Sequence, residues 1–143
     1  MKKIIILLIT ICSLSSCRFY MDEDFDDLDF KFENNSETDI QLLLLENNSD
    51  TVLPNLLSNL LITYSVSANS CKDIVIGNCD YKSLSIFILN KNVFNNNSWN
   101  NIKDNYLIEQ RYFLSKKDLE TLNFEIPYPP SSNMENMNII KWK

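Results

Sequence analysis

Apolar residues in this chain come in short runs, each closed by turn-forming residues, with few helical stripes. The first run, Ile4 to Cys12, is broken only by Thr10 and follows the basic pair Lys2-Lys3. It is too short to cross a hydrocarbon core of about 30 Å as a permanent helix. Further on, Phe30 and Phe32 alternate with charged neighbours until Asn34-Asn35-Ser36, the signature of a strand and a turn. Ile40 to Leu45 follows, and the unbroken leucines from Leu42 to Leu45 predict a strand buried on both faces. Residues 47–59, with Asn47-Asn48-Ser49-Asp50 and Pro54, read as a loop. Leu60 to Val66 and Leu84 to Leu89 read as strands, the latter setting Leu84, Ile86 and Ile88 against Ser85, Phe87 and Leu89.

In the second half, Ser98 is placed to cap a short helix carrying Trp99 and Ile102, and Tyr106 to Phe113 returns as a strand. Ser115 and Asp118 resemble a capping box, opening a second helix whose apolar stripe is Leu119 and Leu122. Phe124 to Tyr128 predicts an edge strand, where Pro127 removes no needed ladder N–H. Pro129-Pro130 ends it, and residues 131–143 are expected to form a mobile tail. The expected fold is mainly β, at the margin of α+β: sandwich-like antiparallel sheets with two short helices.

The basic start, the apolar run and the small residues after it have the layout of a secretory signal. Leu14-Ser15-Ser16-Cys17 resembles the bacterial lipobox. The resemblance implies a diacylglyceryl group on the Cys17 thiol and cleavage just before it. Residues 1–16 are then a lipoprotein signal peptide, 17–29 an acidic tether, 30–130 a globular β-rich domain and 131–143 the tail. One acyl chain gives only reversible binding at about 0.8 kcal/mol per buried methylene, so stable anchoring takes two, which this group supplies. The expected location is the outer membrane or cell surface, lipid-anchored, with the periplasmic face as the alternative.

Six of the eight residues from Asp22 to Asp29 are acidic, which favours an extended tether. Asp22, Asp24 and Asp26, with Glu33 in the twelfth place, echo a calcium loop, but Asp27 stands where that loop needs glycine. Surface-exposed lipoproteins of Bacteroidota carry acids soon after the lipidated cysteine; here they begin five residues after Cys17, later than in that pattern.

Charge narrows the partners. Loss of Lys2 and Lys3 with the signal leaves 11 of 13 basic side chains against 19 acidic ones, a net charge of −8. That sign argues against nucleic acid and against electrostatic docking on anionic lipid. Gly77 is the single glycine while asparagine occurs 20 times, so asparagine pairs such as Asn34-Asn35, Asn47-Asn48 and Asn100-Asn101 are expected at turn positions. Once Cys12 leaves and Cys17 carries lipid, Cys71 and Cys79 remain. Outside the inner membrane they form a disulfide across a small looped hairpin, or stay as two separate thiols. No cofactor or metal is expected, since no histidine or further cysteine completes a tetrahedral set.

The stretch Trp99-Asn-Asn-Ile102, Asn105-Tyr106, Arg111-Tyr112, Leu114-Ser115-Lys-Lys-Asp118-Leu119, Leu122-Asn123-Phe124 and Tyr128-Pro129-Pro130 is similar to the C-terminal signature of small Bacteroidota lipoproteins. Phe124 stands where those have tryptophan. That family has no established activity, so the resemblance implies a setting and no mechanism. Asp50-Thr51-Val52 resembles the O-glycosylation sequon of the same bacteria, making Thr51 a candidate. The Asn-x-Ser triplets at Asn34, Asn47 and Asn96 carry no such expectation.

Without histidine, Ser-His and Cys-His catalysis is excluded, and one glycine cannot build a phosphate loop. Carboxylates remain the route to an enzyme: Glu109 near Arg111, Asp118 with Glu120, or Glu125. Their plainer roles are a solvated strand face, a structural stack or ion pair for Arg111, and acids at a helix start. Trp99, Tyr106, Tyr112, Phe113, Tyr128 and Trp142 are candidates for a face that binds protein or glycan, with Trp99 and Tyr112 assigned to the core. The sequence therefore predicts a non-enzymatic, lipid-anchored binding or accessory domain. Alternatives are an assembly subunit of a surface complex and, behind it, a carboxylate-based hydrolase.

Overall fold

The structure, a computed structural model, describes residues 27–46, 62–77 and 82–142. Its strands are β1 (Leu28–Asn34), β2 (Ile40–Glu46), β3 (Ile62–Val66), β4 (Ser70–Ile76), β5 (Ser83–Asn90), β6 (Gln110–Ser115), β7 (Glu125–Tyr128) and β8 (Asn138–Lys141). Among the described residues there are also helices α1 (Lys91–Asn96), α2 (Trp99–Asp104) and α3 (Lys116–Thr121), with a 3-10 turn at Ser132–Met134. A small sheet has the order β4-β1-β7 and a larger one β3-β2-β5-β6-β8. Every pairing is antiparallel except β1 with β7. The chain thus adopts the mainly β, sandwich-like fold that its short runs predict.

Side-chain periodicity explains the layers. In β1, Leu28, Phe30 and Phe32 point inward and Asp29, Lys31 and Glu33 outward, so the small sheet keeps one wet face. β2 and β5 show no such alternation because both of their faces are covered. Leu42, Leu44, Leu84, Ile86 and Ile88 meet the small sheet across the sandwich. Leu43, Leu45, Phe87 and Leu89 pack on the other side against Ile102 of α2 and Ile108, with Phe94 of α1 and Trp99 at the margin. Each fully buried Leu, Ile or Phe contributes about 1.5–3 kcal/mol. The result is three layers: small sheet, large sheet, and helices α1 and α2, while α3 buries Leu119 in the cluster between the sheets.

Four expectations are corrected. Residues 131–142 are not a mobile tail: Met134 is buried and β8 pairs with β6 through Phe113↔Asn138 to Gln110↔Lys141. A four-residue strand is too short to stand out as a pattern, yet it covers an edge of β6 that would otherwise be open. Cys71 to Ile76 is not a looped hairpin but part of one straight strand, matched residue by residue to β1 from Asn34↔Ser70 to Leu28↔Ile76. The strand expected from Tyr106 begins at Gln110, because Tyr106 takes φ 50° and ends the turn after α2. Among the described residues the asparagine pairs are not the left-handed positions; Asn69 and Asn123 are, while Asn100 and Asn101 lie inside α2 and Asn47-Asn48 lie outside the described residues.

Candidate functional site on the outer face of the small sheet

Asn34, the last residue of β1, organises one end of the sandwich. Its side chain is fully buried, and Nδ2 donates to the carbonyls of Thr38 at 2.8 Å and Ser67 at 2.9 Å. Its Oδ1 accepts from the Ser36 backbone N–H at 3.1 Å and Ser36 Oγ at 2.6 Å. The loop after β1 is thereby stapled to the turn joining β3 to β4. That turn closes with Asn69 in the left-handed region (φ 50°), its N–H donating to Ser36 O at 3.1 Å. Asparagine tolerates this conformation better than most side chains.

Beyond this staple lies the wet face of the small sheet. Asp29, Lys31 and Glu33 of β1 lie between Val75, Asp73 and Cys71 of β4 on one side and, for Lys31, Glu125 of β7 on the other. Lys31 Nζ meets Glu33 Oε1 at 2.8 Å and Glu125 Oε1 at 3.3 Å. Bonding to Glu33, then to Glu125, holds the Lys31 ammonium above its ordinary range. One lysine therefore stands among four carboxylates, a local charge of −3. At the Asn34 end, Glu33, Asn35, Asn69, Ser70 and Cys71 line a cavity of about 250 Å³. Cys71 is an exposed free thiol.

This face exposes charge and hydrogen-bonding groups, and among the described residues no group of three or more Asp, Glu, Cys or His is set to hold a metal. Compared with known proteins, the chain matches no family model, no curated protein and no solved structure.

The nominated acids are scattered and each one with a resolved partner is used structurally. Glu109 Oε2 accepts from the Tyr128 hydroxyl at 2.7 Å. Asp118 closes the capping box of α3, accepting from the Ser115 N–H at 2.8 Å and its Oγ at 2.7 Å. Glu120 is exposed, and Glu125 belongs to the Lys31 cluster. None of these four lines the cavity. Arg111 is buried with its guanidinium over the rings of Phe87 at 5.2 Å and Phe113 at 5.6 Å, and Nη2 donates to Ser85 Oγ at 2.9 Å. It is a stacked element of the second core.

The aromatics divide in the same way. Tyr112 is fully buried, its hydroxyl donating to Pro127 O at 3.0 Å. Trp99 and Trp142 are only partly buried against the helix-covered cluster, with Trp142 6.1 Å from the exposed ring of Tyr106. Cys17, Thr51 and Cys79, together with Asp22, Asp24 and Asp26, lie outside the described residues. Glu33, the twelfth place of the calcium-loop echo, sits inside β1 and bonds Lys31, so it cannot end such a loop. Neither the Asn34 staple nor the Lys31 cluster is visible from sequence. Asn34 reads as a turn residue, and Lys31 meets Glu125 across 94 residues.

Proposed function

We propose that this chain is a lipid-anchored cell-envelope lipoprotein whose domain binds a partner without catalysis. The observation that carries it is Leu14-Ser15-Ser16-Cys17 directly after a basic, apolar start. The acidic residues that follow hold the domain off the membrane, and the similarity of residues 99–130 to small Bacteroidota lipoproteins fits an outer-membrane or surface location. The binding reading is supported by the use of Glu109 and Asp118 as structural hydrogen-bond acceptors and by an open, charged face on the small sheet.

Labelling with palmitate in the producing cell tests the anchor. The natural chain takes up label and Cys17→Ser does not; label persisting in that variant would overturn the reading. Proteolysis of intact cells then separates surface from periplasmic display. A second reading, an assembly subunit of a surface complex, is favoured by the long edge of β4, which no strand pairs among the described residues.

A further inference from the structure

The outward edge of β4 can be deduced from the hydrogen bonds of β1. Lys31 N–H donates to Phe124 O at 2.8 Å and Asn35 N–H to Tyr128 O at 2.7 Å, so odd-numbered residues of β1 face β7. Even-numbered residues therefore face β4, and the register Phe30↔Ile74 and Phe32↔Lys72 gives those bonds to even-numbered residues of β4. Cys71, Asp73 and Val75 must aim their N–H and C=O groups the other way, where no strand lies among the described residues.

This edge differs from the other three. β3 has five residues and β7 and β8 four each, with Pro127 blunting β7, whereas β4 runs seven residues without proline or bulge. Val75 on it is the most exposed large apolar side chain described, at 53%. Lys72, a charge on the inward side that could block an incoming strand, is instead held 5.1 Å over the Tyr64 ring of β3.

We propose that the β4 edge receives an extended segment of another protein as an added strand, one alternating basic and apolar residues. The proposal rests on the reading of the chain as a binding domain and names its partner class. An added strand bonded to Cys71, Asp73 and Val75 sets every second side chain on the wet face, directly beside Asp73 and one strand away from Glu33 and Asp29. A basic residue opposite Cys71 reaches the Glu33-lined cavity. The intervening side chains fall beside Ile74 and Ile76 at the rim of the core and are apolar. A second copy fits poorly, since it would bring another face of charge −3, and the one base of its β4, Lys72, is on the inward side over Tyr64.

Anisotropy of a labelled, end-blocked Lys-Val-Lys-Val-Lys-Val-Lys peptide, titrated with the full chain in neutral detergent, tests this. Glu-Val-Glu-Val-Glu-Val-Glu is the comparison. The basic peptide should bind at least about tenfold tighter, less so as salt rises. Val75→Pro removes only an outward N–H, so it should abolish binding while leaving the circular-dichroism spectrum unchanged. Should Val75→Pro fail to fold, Asp73→Lys serves in its place by reversing the peptide preference. Equal binding of the two peptides, no binding, or unaltered binding by both variants would overturn the proposal. So would a dimer in sedimentation that Val75→Pro dissociates, because the edge would then serve a second copy. Peptide binding does not depend on Cys17, so it can fail while palmitate labelling succeeds, and the reverse.

Discussion

Asn34 is the residue on which one end of the sandwich depends. Asn34→Ala would leave the Thr38 and Ser67 carbonyls and the Ser36 donors to find water at a part-buried site. Water can reach the part-buried partners, so the cost is that of the lost bonds rather than of fully buried orphans, and a loss of roughly 1–3 kcal/mol is expected in urea unfolding. Tyr112 gives a pH test. Burial, and then nearby Tyr128, hold its phenol above the ordinary tyrosine range; burial and the Glu109 acceptor do the same for Tyr128. The native chain keeps protons that the unfolded chain releases above its ordinary pKa of about 10. Stability from this source is complete below that pH and declines above it. Tyr112→Phe should lose about 1 kcal/mol at neutral pH with the Pro127 bond, yet show a shallower alkaline decline, by about 1.4 kcal/mol per pH unit. An equally steep decline would show that Tyr112 is not among the groups responsible.

Among elements, those with a local chemical signal were legible. Ser98 and Ser115 cap α2 and α3, and Asp118 completes its capping box, because these devices depend on residues three apart. The leucine run of β2 gave a strand buried on both faces for the same local reason. β4 and β8 were hidden because their identity comes from partners: β4 buries only Ile74 and Ile76 on a sheet whose other strands lie far away in sequence. α1 was also missed; its cap is Asn90, the last residue of β5, which reads as part of a strand. The candidate site was less legible still, since it is a juxtaposition of three strands, two of them parallel. β8 offers the sharpest check. Deleting residues 131–143 removes Met134 from the core and uncovers β6, so a loss of about 3 kcal/mol or more is expected in a thermal melt. A floppy appendage would leave the midpoint where it was.

At the scale of the molecule the two outer surfaces are unlike. Helices close one over an apolar layer; the other, among the described residues, is sheet without a covering helix and with one lysine among acids. Lys31→Gln should therefore lower the urea midpoint at low ionic strength, and the deficit should shrink at about 0.5 M salt, where the Debye length falls below about 5 Å. A deficit indifferent to salt would point to packing instead of charge. The parallel pairing of β1 with β7 bears on something else, the order of assembly. The first strand of the domain to leave any N-to-C machinery is the middle strand of the small sheet, and its contact from Lys31 to Glu125 spans 94 residues. Closing so long a loop is slow. Until β7 arrives, Phe30 and Phe32 wait on a strand with an open side, so the interval before the C-terminal strands are added is when this chain is most exposed to wrong pairing.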